Sequence, residues 1–559
     1  MTGPRGYAVL VRAGVLRPGR PQVLARTCLR LWQYGPTLAG GYAVAAARVP
    51  DRLAVADQSQ TRTFAELDRR VRLLSAGLAA RGVGPGTSVA LLAHNSVAFV
   101  EALVAVSRLG ADALLLSTFL SVEQTTALLS GQPPRLAVAD PELLPLLAGA
   151  DVPVVTTDAL DQLATAGPAP SSAAPPQAAP PAAAPSRAAG WRAPRPVPRG
   201  RLVVLTSGTT GTPKGARRPV LRGLGAAAAV LSRLRLQFGD RMMIASPLFH
   251  TWALAMLQLA PALGAGVVLR RRADAEVVLD AVALERCSVL IAVPVILDRI
   301  TRLEPAVRDR PDRQCLRMIA SSGSPMTAEC AVRVREVFGD VLYNVYGSTE
   351  NSWVTIADPA DLRAAPGTAG RPPIGTAVTV LDAGGRPVPP GMVGRIFVHN
   401  DVPFDGYTDG SDRPRHGRLM ATGDLGVLDQ AGRLTVVGRD DDLVISGAEK
   451  VYPLEVEQAI STLAGVREVA VIGIPDADLG QRLVAYVAAG PGLTAADVQD
   501  HVRGRLARFA VPKDVVFVEA LPRTPTGKVV RRLLPSLPER SSGPGAGSDT
   551  GSGHPWSAC

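Results

Sequence analysis

Cysteine is scarce in this chain. Its five thiols, Cys28, Cys287, Cys315, Cys330 and Cys559, are an odd and scattered set without C-x-x-C spacing, which argues against a disulfide framework and fits reduced thiols in a cytoplasmic setting. Acids are missing from the N-terminus, where seven arginines (5, 12, 17, 20, 26, 30 and 48) precede Asp51. Unbroken apolar runs are missing there too: Arg, Gly and Pro interrupt every one, so no signal peptide is expected. The stretch from Met242 to Leu269 is long and uncharged enough to register as a membrane span. Pro247, His250 and Pro261 instead divide it into a strand, a turn, a buried helix and a second strand. Also absent is the order G-x-x-x-x-G-K-[S/T], whose hydroxyl reaches the metal of a P-loop enzyme. A kinase or GTPase of that type is excluded.

What is present points to a large α/β protein. A chain of 559 residues exceeds one ordinary core, so two or more domains are expected, and 47% hydrophobic against 19% charged residues makes the bulk globular. The balance of 60 basic and 49 acidic residues, +11, favours anionic partners such as nucleotide, nucleic acid or membrane. Residues 1–50 read as a basic extension in which Leu29, Leu31, Trp32 and Tyr34 alternate with Arg26 and Arg30. That pattern suits an anionic membrane surface as well as a packed or disordered extension. From Asp51 the pattern becomes regular. Thr63-Phe64-Ala65-Glu66 reads as a capping box opening a helix that Gly82 ends. Strands at 88–92, 113–116 and 135–139 alternate with helices at 96–109 and 121–129, which predicts a largely parallel sheet covered by helices. Residues 166–200 are Pro/Ala-rich and read as a solvated insertion.

The chemistry is concentrated after that insertion. Leu202 to Leu205 form an apolar strand that runs into Thr206, Ser207, Gly208, Thr209, Thr210, Gly211, Thr212, Pro213 and Lys214. Glycines that let the backbone approach a ligand, hydroxyls that can donate to phosphate oxygens, and one lysine make a phosphate loop. The stretch resembles the signature loop of the adenylate-forming (AMP-binding) superfamily of acyl-CoA synthetases, luciferases and peptide-synthetase adenylation domains. Further motifs follow in the family's order: PLFH at 247–250, SSGSP at 321–325, YGSTE at 346–350, TGD at 422–424, GRDDDLVISGAEK from Gly438, and PRTPTGK at 522–528.

The resemblance implies an α/β fold: a large N-terminal domain of stacked α/β subdomains with a β-rich subdomain, spanning 51–438, and a small mobile α+β C-terminal lid at 439–534. A disordered tail would occupy 535–559. It implies roles residue by residue. Gly323, Ser324, Pro325, Tyr346 and Gly347 would face adenine, Thr349 a phosphate and Asp424 the ribose. Glu350 would hold Mg²⁺, and Arg439 would contact ribose or phosphate. Asp441 would be the hinge, and Lys528 would bridge the substrate carboxylate and the α-phosphate. His250, Phe249, Trp252 and Val293 would line the acyl pocket and its approach, and Ser446, Gly447 and Ala448 the path of pantetheine. Ala448 departs from the glycine usual in the family, adding a methyl that disfavours positive φ. Arg217 and Arg218 stand where apolar residues are more usual, as in the subset resembling actinobacterial fatty-acid ligases. The expected activity is ATP-dependent activation of a medium- or long-chain fatty acid, with Mg²⁺ and coenzyme A. Delivery to a carrier protein, or activation of an aryl or amino acid, are the alternatives within this chemistry, although no carrier-domain serine motif follows. A membrane- or nucleic-acid-binding protein with a degenerate core is the alternative outside it. The retained set Lys214, Glu350, Asp424, Arg439 and Lys528 opposes degeneration, and nucleic acid is not expected as a partner. The enzyme is expected in the cytoplasm with peripheral membrane contact through residues 1–50 left open, as is the oligomeric state.

Overall fold

A computed structural model describes residues 3–165, 196–206, 214–218, 223–309, 312–402, 404–446, 449–476, 479–524 and 527–535. The expectations for most of the Pro/Ala-rich insertion, for Ser207 to Pro213, for Gly447 and Ala448, and for the tail beyond Pro535 lie outside the described residues.

Two α/β layers share one core. The first sheet runs in the order Val154–Thr156, Leu136–Ala139, Ser88–Leu92, Asp112–Leu115, Leu202–Thr206, Lys214–Arg217, all parallel except the last pair. The second has eight strands, with Leu342–Tyr346, Met318–Ser321, Val289–Ala292, Arg241–Ile244, Gly266–Leu269 and Leu53–Ala56 parallel at its centre. An antiparallel strand closes each edge of that sheet. Strands covered on both faces must be apolar throughout, and Val289–Ala292 and Gly266–Leu269 are buried at every residue. Between the layers, Phe64–Ala80 and Val97–Leu109 pack Leu67, Val71, Leu74, Phe99 and Leu103 into a continuous apolar cluster. The capping box forms as expected: Thr63 Oγ1 accepts from the Glu66 amide and Glu66 accepts from the Thr63 amide.

The stretch Met242 to Leu269 is a strand, a turn, the helix Thr251–Leu259 and a strand inside this core. Among the described residues no helix is long and apolar enough to cross a membrane.

The N-terminal fifty residues are not set apart from the fold. They form helices Pro4–Arg12, Pro21–Tyr34 and Leu38–Arg48. Val9, Leu10, Leu38 and Tyr42 belong to the main core, so the first and third of these helices are built into it. Arginine-rich composition masked this, because the arginines of the first helix lie outside its narrow buried stripe of Gly6, Val9 and Leu10, and the third helix, which buries most of its length, carries only Arg48.

Five antiparallel strands, including Ala377–Leu381, Gly394–His399, Leu419–Leu428 and Leu434–Arg439, make the β-rich subdomain. The smaller C-terminal domain follows, with the long hairpin Val466–Asp476 and Gly480–Ala489 and the helices Pro453–Ser461 and Ala495–Arg503. The second helix ends where Gly504 stands at its C-cap.

Candidate active site

Motifs far apart in the chain meet because the strands preceding them are neighbours. Ile244 pairs with Ile291, Ala292 with Ser321, and Ser321 with Asn344. The PLFH turn, Val293, the SSGSP loop and the YGSTE turn therefore all leave the carboxyl edge of one parallel sheet, the edge where open α/β sheets bind ligands. The strand Leu202–Thr206 leads into the phosphate loop from the other sheet, and Lys214 returns beside it with its Cα opposite Thr206.

A single cavity of about 2230 Å³ occupies this edge. Gly323, Ser324 and Pro325 line it from one loop, and Tyr346, Gly347, Thr349 and Glu350 from the next. His250, Trp252 and Val293 form its apolar flank, while Asp424, Arg439 and Asp441 reach it from the β-rich subdomain and the turn after it. Lys528 enters from the small domain.

The polar groups are already wired together. Asp424 and Arg439 are opposed across two antiparallel strands. The Tyr346 hydroxyl donates to Asp424, and Arg439 Nη1 lies 3.4 Å from the other carboxylate oxygen. Arg439 also pairs with Asp441, Nε to Oδ1 at 2.9 Å. Burial lifts the Asp424 carboxyl above its ordinary range, although Tyr346 and Arg439 oppose that shift. Burial also pushes the Lys528 ammonium down, helped by Arg439 and opposed by Asp424 and Glu350. His250 is pushed down to about 4, first by burial and then by the Lys528 charge, so its ring is neutral. Its Nε2 is buried and has no hydrogen-bond partner among the described residues.

Sequence reasoning missed the groups that hold Glu350. The Tyr407 hydroxyl donates to Glu350, and Arg413 Nη2 lies 3.4 Å from the same oxygen. Burial raises the Glu350 carboxyl, but Tyr407 and Arg413 more than offset it and leave it below its ordinary range. Arg218 Nη1 donates to the Thr349 carbonyl at 2.7 Å. Burial brings that guanidinium down to about 10 against the pull of Glu350, which leaves it cationic at neutral pH. Asn95 was missed as well: its side chain donates to the Ser246 carbonyl at 2.9 Å and accepts from the Leu248 amide at 2.8 Å, fixing the loop that carries His250. A buried asparagine after a strand was the only signal available.

One expectation is corrected. Phe249 does not line the cavity; it is buried in the main core with its ring 4.6 Å from that of His250. Leu248 and Phe249 are both packed into the main core, and of the four PLFH residues only His250, at the N-cap of the helix that begins at Thr251, reaches the cavity. Ser446, expected on a path that the lid brings to the opening only after it turns, is off the cavity wall in this arrangement. It is buried in the strand Val444–Ser446, opposite Glu449, while neighbouring Ile445 faces solvent.

Comparison with known proteins agrees with this geometry. The AMP-binding enzyme family matches residues 42–408, and the AMP-binding enzyme C-terminal domain matches residues 455–528. The chain is 33% identical over 515 residues to an indoleacetate–CoA ligase of Aromatoleum aromaticum, covering 87% of this chain and 96% of that one. It is 30% identical over 482 residues to the long-chain-fatty-acid–CoA ligase FadD13 of Mycobacterium tuberculosis, covering 84% and 92%. Among solved structures, the o-succinylbenzoate CoA synthetase of Bacillus subtilis with its acyl-adenylate superposes with a TM-score of 0.75 at 26% identity, covering 89% and 98%.

Proposed function

Since the chain belongs to the AMP-binding enzyme family, we propose that it activates a medium- or long-chain fatty acid with ATP and transfers the acyl group to coenzyme A. CoA ligases of this family use ATP, Mg²⁺ and coenzyme A. The relatives act on indoleacetate, a long-chain fatty acid and o-succinylbenzoate by their names, so the family leaves the acid open. What carries the fatty-acid reading is the cavity's apolar arm. Besides Trp252 its wall includes Ala255, Met256 and Leu259, together with Val23 and Leu24 of the helix Pro21–Tyr34, more apolar wall than an acetate or aryl acid covers.

The site's residues suit the chemistry. A carboxylate is a weak nucleophile that the triphosphate repels, so charge must be neutralised and the oxygen aligned with the α-phosphorus. The carboxylate oxygen forms the new P–O bond and the bond to pyrophosphate breaks; Lys528 and Arg439 neutralise the charge that builds. Neutral His250 offers its unpartnered Nε2 as a hydrogen-bonding group for the acid without adding charge. Glu350, ionised and held by Tyr407, is a hard oxygen donor of the kind Mg²⁺ favours alongside substrate phosphates. Mg²⁺ bound there supplies further neutralisation of the phosphates. Asp424 would take the ribose hydroxyls, Tyr346 and the SSGSP loop the adenine, and Thr206 to Lys214 the phosphates.

In the second half the thiolate sulfur attacks the acyl carbon and AMP leaves; no protein nucleophile is required. Ser446, Gly447 and Ala448 would have to turn toward the cavity for this step, with Asp441 as the hinge.

The test is pyrophosphate release with ATP, Mg²⁺ and acids from acetate to oleate plus benzoate, with and without coenzyme A. Turnover should need both a long acid and the thiol. A unit-charge pair at about 4 Å is worth on the order of 4 kcal/mol at an effective dielectric near 20, so Lys528→Ala should slow adenylation by roughly 10²- to 10³-fold. Release of one equivalent regardless of coenzyme A would indicate a carrier protein as acceptor, and activity on benzoate alone would sink the fatty-acid reading.

A further inference from the structure

The helix Pro21–Tyr34 is packed unlike the rest of the molecule. Of its fourteen residues only Tyr34 is buried, at the end where it joins the fold. Successive residues turn by 100°, which puts Val23, Thr27 and Leu31 on one side and Ala25, Leu29 and Trp32 on the other. The first set lines the cavity. The second does not, and Trp32 is 52% exposed.

Leu24 and Leu31 are both cavity-lining and exposed, at 45% and 43%. A wall residue that also meets solvent marks an opening, so the apolar arm opens along this helix. At the same end, Arg17 lies over the Phe238 ring at 4.2 Å, with Arg48 at 6.0 Å, and all three residues line the cavity. Arg20, Arg26 and Arg30 stand at the start of or along the helix Pro21–Tyr34, and Arg5 and Arg12 on the helix Pro4–Arg12, with no acid before Asp51 in the sequence. The helix Pro4–Arg12 contributes exposed Tyr7 and Val11.

We propose that this face docks on an anionic lipid bilayer, and that the acyl chain passes from the bilayer into the cavity beside the helix Pro21–Tyr34. Leucines and a tryptophan among arginines, on a helix whose far side is half free, are what an interfacial helix presents to headgroups and acyl chains. A polyanion such as RNA would match the arginines but leave Leu24, Leu29, Leu31 and Trp32 in water. The passage of the acyl chain rests on the fatty-acid reading above; the docking does not.

The full-length protein should co-sediment with phosphatidylcholine vesicles containing phosphatidylglycerol and not with phosphatidylcholine alone. Arg20→Gln/Arg26→Gln should weaken that binding by roughly 30-fold, at about fivefold per arginine. Leu29→Ser/Trp32→Ser, which touches only the solvent side, should weaken it by roughly tenfold or more. Both variants should keep wild-type turnover of a short, water-soluble fatty acid and lose several-fold on a long acid presented in vesicles. Equal binding to neutral and anionic vesicles, binding unchanged in both variants, or tight binding to poly(U) with none to vesicles would each overturn the docking. Vesicle binding with no fatty acid turned over in any form would leave the docking standing and remove the substrate reading instead. Docking with identical variant effects on soluble and vesicle-borne acid would overturn the passage from the bilayer.

Discussion

Arg218 holds the backbone of Thr349, one residue before Glu350, the carboxylate proposed to hold Mg²⁺. A hydrogen bond from a charged donor contributes about 1.5 to 3 kcal/mol, so Arg218→Met should lower kcat/KM for ATP by roughly 10- to 100-fold. The same variant should require more Mg²⁺ for half-maximal rate, measured by magnesium titration, with Arg218→Lys recovering part of the loss. His250 sets a pH dependence of stability. Its native pKa of about 4 lies below the ordinary 6.5, so the native state binds fewer protons than the unfolded chain between those values. Its contribution is complete above pH 6.5 and is lost as the pH falls toward 4, about 3 kcal/mol in all. Urea unfolding of His250→Gln should therefore show a shallower loss of stability over this window than wild type. Glu457 acts in the opposite sense: burial lifts it from 4.5 to about 7, and its contribution present below pH 4.5 is lost as the pH rises toward 7. Comparing slopes between variants separates the two.

At the scale of elements, Gly527 is one point where the small domain meets the large one. Its φ is +82°, and a Cβ there would lie 2.8 Å from Val295 Cγ1. Gly527→Ala combines that clash with a left-handed backbone costing roughly 1–2 kcal/mol, so adenylation should slow by about tenfold or more. Thioester formation from added acyl-adenylate should be spared, and a single-turnover assay of each half-reaction checks both. Local signals made most elements legible in the sequence: the box at Thr63 and Glu66, the prolines within 242–269, and the apolar runs of the parallel strands. The YGSTE, TGD and PTGK residues were legible because their order along the chain matched a known pattern. Tyr407 and Arg413 were not, since they meet Glu350 across more than fifty residues and neither sits in a motif. Phe249 was misread because its neighbour His250 reaches the cavity, while the Phe249 ring lies against it on the core side. The N-terminal helices were hidden by their arginines, which describe the outer face and say nothing of Leu10 or Tyr42.

For the whole molecule, the position of the loop around Ser446 matters most. Lys528 is inside the cavity while Ser446 is outside it, so on the proposed function this arrangement would serve the first half-reaction and a rotation would have to precede the second. Proline fixes φ and removes an amide; Asp441→Pro should preserve release of about one equivalent of pyrophosphate while slowing thioester formation by roughly 10²-fold. Asp441→Ala, which loses the pair with Arg439 but keeps a free backbone, serves as the control, and rapid-quench measurement of both products distinguishes them.

The small domain has apolar clusters of its own. Val456, Ile460, Val471 and Val498 gather in one, and Ala470, Tyr486 and Leu521 in another, with no described residue before Val444 contributing to either. It is therefore a separate cooperative unit, and heating should melt it apart from the rest: calorimetry of the free protein should record two endotherms. A ligand gripped by Asp424 on one side and Lys528 on the other binds only when both units are folded, so saturation should raise the smaller transition until the two merge. Fusion of two heat-absorption peaks into one would thus report occupancy without any chemistry taking place.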